Sequence, residues 1–496
     1  MVDTVEPLVH ATRGYVVAPA GYGKTEAVAR AVAADPDRRH LVLTHTHAGV
    51  HALTGRLRKH GISRRSVRVS TIAGFALKYA SSYPATSALP TSEPTTSADW
   101  IDVHAAAHRL LMKSPLAAIV RASYDTVFVD EHQDCTRGQH AIVLAIAEVL
   151  PVRILGDPLQ GIFSFAARDG DPIVSWTDDV FPHFDELPPL QEPQRWLRTN
   201  PALGEWLHDA RQRLIDGVRL EPDPAVVTVV PLAEGAALNE CRRIARAEGT
   251  VAAITDQPAR AHYTAKHLGG QYGCMEPMWA PDLIAAAKRI DVRDGPGRAL
   301  AALEFAATCM SNTSGPLKTA RQRLSKATLP RPREGANNAR AVEALVEVAT
   351  NDHPGAILEA LKAIADLKDV RIYRNELLHE MRRALRHAAT HPDRCLATCA
   401  WEVREQTRQR GRAARRLTVT RPLLAKGLEF DRVIALDVGS LTDPRDLYVT
   451  ITRASRQLVL LGELADIPPY PEAAPAELPQ ASRPSCLRRS GSTSGT

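Results

Sequence analysis

The chain has 496 residues, 44% of them hydrophobic and 24% charged, and 62 basic against 56 acidic side chains give a formal charge of +6. A single hydrophobic core stops growing at roughly 250–300 residues, so this length predicts several domains. The sequence contains no run of about 18 uninterrupted apolar residues and no apolar N-terminal signal segment, which argues against a membrane span or a secretory signal. We therefore expect a cytoplasmic protein without a membrane partner.

The seven cysteines are odd in number and scattered along the chain, so a disulfide framework is not expected. Cys395 and Cys399 lie one turn apart on a predicted helix, but no second pair supplies the further ligands that a metal would need. We interpret the cysteines as packed thiols.

Positive charge is concentrated in two runs, residues 56–68 and residues 404–416, each with six basic side chains. Such runs can follow the phosphates of a nucleic acid. They can equally form a solvated face, and charge alone does not decide between the two interpretations.

Short apolar runs between polar segments predict buried β-strands, and helical patterns lie between them. The predicted strands are 14–18, 40–45, 124–131, 152–157, 251–255 and 431–437. Strands that alternate with helices indicate a parallel sheet covered on both faces.

Three segments differ from this alternation. Residues 81–98 are rich in Ser, Thr and Pro, which predicts a loop. Residues 256–410 contain amphipathic helical patterns without strong strand alternation, which predicts a mostly helical domain. Residues 466–496 are rich in Pro, Ser and Ala, and we expect a disordered tail there.

A phosphate-binding P-loop is predicted where the first strand meets the first long helix. Gly21 and Gly23 would let backbone N–H groups curl around phosphate oxygens. Lys24 would bring a positive charge to the β- and γ-phosphates, and the Thr25 hydroxyl could ligate Mg²⁺. The predicted nucleotide-binding loop comprises Ala20, Gly21, Tyr22, Gly23, Lys24 and Thr25.

Two adjacent carboxylates, Asp130 and Glu131, follow a predicted buried strand about a hundred residues later. Ligands of open α/β sheets bind at this edge. Asp130 could hold Mg²⁺, and Glu131 could orient and deprotonate an attacking water. An acidic strand-to-helix cap is the alternative for two carboxylates in isolation. Together with the P-loop, they make hydrolysis of a nucleoside triphosphate the leading prediction.

The string Asp-Glu-His-Gln-Asp at 130–134 resembles the DExQD box of superfamily 1 helicases of the UvrD/Rep/PcrA type. Further segments resemble motifs of that family in the same order, at 43–57, 69–80, 156–165, 194–196, 418–437 and 447–461. Among them, Lys-Gly-Leu-Glu-Phe-Asp at 426–431 and Leu-Tyr-Val-Thr-Ile-Thr-Arg-Ala-Ser at 447–455 are highly specific.

The resemblance adds residues to the catalytic chemistry. It implies that Gln160 senses the γ-phosphate and links it to DNA, and that Glu429 contacts the ribose of the nucleotide. Arg195 and Arg453 would act as arginine fingers, which neutralise charge on the transferring phosphoryl group. Because both arginines lie far from the P-loop along the chain, they would come from a second domain. An ordinary surface ion pair is the alternative for each.

The resemblance also implies contacts with DNA. Phe163 and Phe165 occupy positions where the family stacks aromatic rings on bases. Core packing is the alternative for both rings. Thr46 and Thr71 would hold the phosphate backbone. The first Gln in the chain is Gln133, so the upstream Gln with which family members read adenine is absent.

The fold class that the resemblance implies is α/β, with two RecA-like P-loop NTPase domains, each with a parallel sheet, and a mostly α-helical inserted domain. The first RecA-like domain would span 1–185, with a small insertion at 81–121. The second would combine 186–255 with 411–465. The helical domain would occupy 256–410, and the tail 466–496.

The function that the resemblance implies is an ATP- and Mg²⁺-dependent DNA translocase or helicase. It would be stimulated by single-stranded or partly duplex DNA and would move from 3′ to 5′. One alternative is an ATPase subunit that senses nucleotide and DNA and regulates a partner nuclease in a defence or repair complex. Compact helicases of that kind occur in Gabija-type anti-phage systems. A P-loop ATPase unrelated to nucleic acid is the third possibility.

Overall fold

The computed structural model describes residues 5–91, 94, 96–113, 116–163, 170–277, 280–410, 415–466 and 468–470, with the backbone alone for 408–410. The predicted fold class is confirmed: the described residues form an α/β structure with two parallel sheets, as expected of RecA-like domains, and a bundle of helices. Most of the predicted tail lies outside the described residues. No helix within the described ranges is both long enough and apolar enough to cross a membrane.

The first sheet and its helices, here called the first lobe, are built from the N-terminal part of the chain. The strands are β1 (Arg13–Val17), β2 (His40–Thr44), β3 (Val67–Thr71), β4 (Thr126–Asp130), β5 (Val152–Gly156) and β6 (Asp185–Glu186). The helices are α1 (Glu6–His10), α2 (Lys24–Ala34), α3 (His47–Lys59), α4 (Ile72–Ser82), α5 (Pro84–Ser87), α6 (Ser97–Lys113), α7 (Leu116–Ser123) and α8 (Arg137–Ala147).

The strands of the first sheet pair in the order β3-β2-β4-β5-β1-β6, and every pair is parallel. Every residue of β2, β4 and β5 is buried, as expected for strands covered by helices on both faces. Short 3₁₀ turns at His132–Asp134 and Pro158–Gln160 follow β4 and β5. A π-helical turn at Trp176–Val180 precedes β6.

The predicted loop at 81–98 is wrong in part, because α5 begins at Pro84 within it. Ser87 is fully buried, and its hydroxyl donates to the carbonyl of Ala80 at 2.9 Å. Arg109 of α6 donates to the carbonyl of Ser87 at 2.7 Å. These bonds satisfy the polar groups of a short segment whose composition alone indicated an unpacked loop.

The second sheet is interrupted by a helical segment. Its first part contains α9 (Pro201–Asp216), β7 (Val227–Val230), α10 (Ala236–Ile244), β8 (Val251–Ile254), α11 (Pro258–His267) and β9 (Gly273–Cys274). The interrupting segment contains α12 (Pro281–Asp291), α13 (Gly295–Cys309), β10 (Met310–Ser311), α14 (Lys318–Ser325), α15 (Ala339–Thr350), α16 (Pro354–Ala365), β11 (Arg371–Ile372), α17 (Asn375–Thr390) and α18 (Leu396–Arg410). The chain then returns as β12 (Leu417–Thr420), α19 (Pro422–Ala425), β13 (Phe430–Ala435), a 3₁₀ turn at Val438–Ser440, α20 (Pro444–Ile451) and β14 (Ala454–Leu461).

The strands of the second sheet pair in the order β7-β14-β13-β8-β12-β9, and all pairs are parallel. We call this sheet with α9–α11, α19 and α20 the second lobe, and α12–α18 the helical bundle. The bundle has its own apolar core, and its short strands β10 and β11 pair antiparallel. Strand β9 belongs to the second sheet although it lies in the range predicted to be the helical domain. The predicted domain boundaries remain predictions.

Candidate active site

A cleft of about 2120 Å³ lies at the carboxyl edge of the first sheet. The predicted site residues that line it are Ala20, Gly21, Tyr22, Gly23, Lys24, Thr25, Thr46, Thr71, Asp130, Glu131, Gln160, Phe163, Arg195, Glu429 and Arg453. Phe165 lies outside the described residues. Small-molecule pockets are typically about 300–1000 Å³, so this cleft has room for more than one ligand.

The P-loop connects β1 to α2, and its shape depends on two glycines. Gly21 has φ +76° and Gly23 has φ +85°, in the left-handed region that favours glycine. A Cβ on Gly21 would also lie 2.5 Å from the ring of Trp196. Helix α2 begins at Lys24, so its N-terminal amides face the cleft where an anion is favoured.

Lys24 and Thr25 make contacts that a bound nucleotide and its cation would replace. Lys24 is buried, and its Nζ donates to the carbonyls of Ala18 at 2.8 Å and Pro19 at 3.3 Å. The Thr25 hydroxyl donates to Asp130 Oδ2 at 3.0 Å. A hydroxyl and a carboxylate are hard oxygen donors of the kind that Mg²⁺ prefers, so this pair fits the predicted cation.

The two carboxylates after β4 differ in their electrostatics. Burial raises the pKa of Asp130 to about 7, and the neighbouring Glu131 carboxylate adds to the rise. Burial also opposes ionisation of Glu131, but the charges of Lys24 and Lys426 outweigh it, so the pKa of Glu131 is lowered. Glu131 is therefore the carboxylate that is ionised and able to accept a proton.

The backbone of Glu131 is held in an uncommon conformation. Its φ of +57° lies in the left-handed region, which non-glycine residues rarely adopt and which is found at functional sites. The Gln133 side chain donates to Glu131 Oε2 and accepts from the amide of Asp157 at 3.0 Å. Gln133 thereby fixes the direction of the Glu131 side chain relative to the turn after β5.

Arg453 follows α20 in the second lobe and reaches the first lobe. Its Nη2 donates to Gln160 Oε1 at 3.3 Å, and its Nε donates to the carbonyl of Val449 at 2.9 Å. Arg453 is only 2% exposed, and burial lowers its pKa to about 10, with the charge of Arg195 adding to the effect. Two like charges held close together indicate a site that favours an anion.

Arg195 and Glu429 form an ion pair beside Arg453. Arg195 Nη2 donates to Glu429 Oε1 at 2.7 Å, and its Nη1 donates to the carbonyl of Thr452 at 2.5 Å. The amide of Arg195 also donates to the carbonyl of Gly21 at 3.1 Å, which joins this segment to the P-loop. The pKa of Glu429 is lowered: burial opposes ionisation, but Arg195 outweighs it.

Four polar contacts that join the lobes were not predicted from the sequence. The amide of Ala20 donates to the Tyr448 hydroxyl at 3.1 Å. Arg211 of α9 donates to the fully buried Asp157 at 3.0 Å. Lys426 donates to Asp134 Oδ1 at 2.5 Å and also to the carbonyl of Gln160. The motif resemblance could have indicated four of these residues, because they lie inside its segments: Tyr448, Lys426, Asp134 and Asp157. Arg211 lies in α9, which no motif covers.

The predicted DNA-contacting threonines both cap helices that begin at the cleft. Thr46 accepts from the amide of Gly49 at 3.1 Å, and Thr71 accepts from the amide of Gly74 at 2.9 Å. Each side chain thus has a structural role as the N-cap of α3 or α4. The remaining amides at these helix starts suit an anion such as a backbone phosphate.

Phe163 lies against polar groups rather than in an apolar core. Its ring centre is 5.3 Å from that of His45 and 5.1 Å from Lys426 Nζ. Burial lowers the pKa of His45 to about 4, and Lys426 adds to the shift, so the His45 ring is neutral at pH 7. The Phe163 ring is half-buried and borders the cleft, where one part of it stays accessible.

One group of residues outside the cleft has metal-ligating side chains. His262, Cys274 and Glu276 bring their ligand atoms within 4.8 Å of one another. Both oxygens of Glu276 accept from Arg374, at 2.7 and 2.5 Å. Because the carboxylate is already neutralised by a guanidinium, we interpret the group as part of a buried ion network.

Comparison with known proteins supports the helicase interpretation. A family model for the UvrD/REP helicase N-terminal domain matches residues 91–180, which include Asp130, Glu131 and Gln160. Comparison with curated proteins finds no match to the chain. The family match supports a superfamily 1 helicase and, with it, a nucleic-acid-dependent ATPase.

Two solved helicase structures are also similar to this chain. The arterivirus nonstructural protein 10, a helicase in complex with DNA, aligns at 16% identity over 50% of this chain and 49% of its own, with a TM-score of 0.26. The Escherichia coli DEAH/RHA helicase HrpB aligns at 10% identity over 54% of this chain and 29% of its own, with a TM-score of 0.30. The alignments therefore span about half of the first structure and less of the second.

Proposed function

We propose that the chain is an ATP- and Mg²⁺-dependent DNA translocase or helicase whose ATPase is stimulated by single-stranded DNA. The observation that carries the proposal is the contact of Arg453 with Gln160, 3.3 Å across the cleft that Lys24 and Glu131 also line. The Arg453 guanidinium of the second lobe and the Glu131 carboxylate of the first lobe, which is the proposed general base, line the same cleft. That arrangement suits phosphoryl transfer, whose catalysis consists mainly of positioning and charge stabilisation.

In the proposed reaction each lobe supplies different groups. Lys24 releases its two carbonyl partners and binds the terminal phosphates. Glu131, kept ionised by Lys24 and Lys426, orients a water and takes its proton. Arg195 and Arg453 neutralise the charge that develops on the transferring group.

The predicted cation would be held by Thr25 and Asp130, whose oxygens lie 3.0 Å apart. Mg²⁺ held there would supply positive charge that neutralises the phosphates. Binding requires Asp130 to be ionised, although burial keeps its pKa near 7 before a cation enters. Binding of the cation should therefore release a proton from Asp130 at neutral pH.

Coupling to DNA would run through the turn after β5. Gln160 contacts Arg453, its carbonyl accepts from Lys426, and Lys426 lies over the ring of Phe163. Loss of the γ-phosphate would free Arg453 and Gln160 and so change the position of Phe163 relative to the second lobe. Movement from 3′ to 5′ follows from the resemblance to the UvrD/Rep/PcrA family.

ATP hydrolysis measured with and without single-stranded DNA tests the proposal, with single-stranded RNA as the comparison. We expect clear stimulation by DNA and none in the Glu131→Gln variant. An ATPase that responds to neither polymer would contradict the proposal and favour a P-loop ATPase unrelated to nucleic acid. A strand-displacement assay then separates a helicase that acts alone from an ATPase that regulates a partner nuclease, since only the helicase unwinds robustly without a partner.

A further inference from the structure

The cleft continues beyond the nucleotide groups to the helical bundle. Helix α18 packs against α3, and the cleft lining includes Trp401, Glu405 and Thr407 of α18. The starts of α3 and α4, here called the wall, line the same cleft. One helix of the bundle, here called the roof, thus lines the cleft together with the surface where we propose that backbone phosphates bind.

Trp401 is the aromatic residue of this roof. Its side chain is 41% exposed, whereas its neighbours Ala400 and Val403 on α18 are buried in the core of the bundle. Within the described part of the chain, no aromatic ring or hydrogen-bond acceptor engages the indole. The exposed part of the indole is therefore open to a ligand in the cleft.

The wall includes small residues in the first turns of two helices. Ala48 and Gly49 lie in the first turn of α3, and Ala73 and Gly74 lie in the first turn of α4. The capping threonines satisfy one amide of each helix, at Gly49 and Gly74. The wall therefore offers amides to an anion, and the roof offers an aromatic face.

A single-stranded polynucleotide has the matching two sides, with phosphates along one and unpaired bases along the other. We propose that Trp401 stacks on a base of single-stranded DNA whose phosphates lie along the starts of α3 and α4. The inserted helical bundle then contributes directly to strand binding. This proposal rests on the proposed function of the cleft. It assigns Trp401, on an element outside the motifs of the resemblance, as a further DNA-binding residue.

The other available occupant of such a surface is a folded protein. Trp401 lies within a cleft lined by both the first lobe and the bundle, where the starts of α3 and α4 also favour an anion. A single strand supplies phosphates to the helix starts and bases to the indole, so we assign the strand as the occupant.

Trp401→Ala and Trp401→Phe test the proposal, with Tyr263→Ala as the matched control. Tyr263 is an aromatic side chain that is 56% exposed on α11 and does not line the cleft. Binding is measured by the anisotropy of a labelled oligothymidine, and stacking by the fluorescence of a 2-aminopurine placed within it. Thermal melting of each variant checks that the bundle is intact.

We expect Trp401→Ala to weaken DNA binding about tenfold and to abolish part of the 2-aminopurine quenching. Trp401→Phe should keep most of the DNA binding and most of the quenching. Tyr263→Ala should match the parent protein in both. The DNA concentration for half-maximal ATPase stimulation should rise while the KM for ATP does not.

Three results would overturn the inference, and they are distinguishable. If the parent ATPase responds to DNA but Trp401→Ala binds and quenches like the parent, the stacking role is wrong and the proposed function stands. If Trp401→Phe loses as much as Trp401→Ala in folded protein, the ring does not act by stacking. If the parent ATPase shows no response to DNA, the proposed function fails and the stacking role fails with it.

Discussion

The second lobe meets its two neighbours in different ways. Toward the first lobe it makes polar contacts beside an open cleft of about 2120 Å³, among them Arg453 to Gln160 and Arg211 to Asp157. Apolar contacts add to these, because Ala20 and Leu159 of the first lobe pack in the core of the second. Toward the helical bundle, the second lobe is joined by buried charges that pair with one another. Arg374, before α17, donates to Glu276, which follows β9, and to Asp282 at 2.6 Å.

A second arginine, on α18, joins two helices within the bundle and also contacts the segment that follows β9. Arg404 of α18 is 2% exposed and donates to Glu380 at 2.5 Å, to Glu376 at 3.1 Å, and to the carbonyl of Pro277. Tyr373 packs in the core of the second sheet although it lies between two elements of the bundle. Removing one partner of a buried ion pair is costly, so we expect Arg374 and Glu276 to hold the bundle to the second lobe. The buried pair Arg211–Asp157 likewise joins the second lobe to the first, so what distinguishes that boundary is the cleft, which has room for a nucleotide.

The largest expected effect is at the cleft. Replacing Glu131 by Gln removes the proton acceptor while keeping the size of the side chain, so kcat for ATP should fall by about 10⁴-fold. Binding of a fluorescent ATP analogue should persist. Glu148→Gln is the control, because Glu148 is an exposed partner of Arg13 outside the cleft. Hydrolysis by Glu131→Gln at the parent rate would show that the base is assigned wrongly.

The second prediction concerns the arginine that crosses the cleft. Arg453→Lys keeps a positive charge but loses the planar group that contacts Gln160 and Leu428, so kcat should fall by about 10³-fold. The KM for ATP should change much less, because the contact matters most when charge develops on phosphate. Equal losses in kcat and in nucleotide affinity would instead indicate a general binding role.

The third prediction tests the closed junction. Arg374→Met leaves the buried Glu276 without its partner, so the free energy of unfolding should fall by about 3–5 kcal/mol in urea titrations. Adding Glu276→Met should recover part of the loss. Arg293→Met removes an exposed contact with Glu304 and should cost at most about 1 kcal/mol. A loss no larger than this control would mean that the ion network does not hold the junction.

The smallest expected effect is at the contact between the P-loop and α20. Tyr448→Phe removes the hydroxyl that accepts from the amide of Ala20, at a cost of about 1 kcal/mol and a several-fold rise in the KM for ATP. Tyr272→Phe is the matched control, since Tyr272 is equally buried and donates to the carbonyl of Cys241 at 2.8 Å. The control should lose similar stability without any change in KM. If the KM for ATP is unchanged in Tyr448→Phe, the contact between α20 and the P-loop does not contribute to nucleotide binding.

Much of the fold follows from local sequence. The strands at His40–Thr44, Thr126–Asp130, Val152–Gly156 and Val251–Ile254 lie within the ranges predicted from apolar runs. Such runs predict strands because a strand that is buried on both faces needs apolar residues throughout. Val67–Thr71 was not predicted, because this strand is only partly buried and alternates basic and polar residues with valine.

Site residues could be predicted from the sequence where they lie in short motifs. Contacts between residues far apart along the chain could not. Gly21, Lys24 and Asp130 carry signals in short motifs. The contact of Arg211 with Asp157 joins residues 54 positions apart, and nothing near Arg211 marks it. Trp401 shows the same difficulty, because its position in the cleft depends on how the helical bundle packs on α3.

The central claim is that ATP hydrolysis in the cleft moves the protein along a single strand. Displacement of streptavidin from biotinylated single-stranded DNA measures this movement directly, with the biotin placed at either the 5′ or the 3′ end. We predict ATP-dependent displacement from the 5′ end, much slower displacement from the 3′ end, and none with Glu131→Gln. An ATPase that is stimulated by DNA yet displaces streptavidin from neither end would contradict the claim.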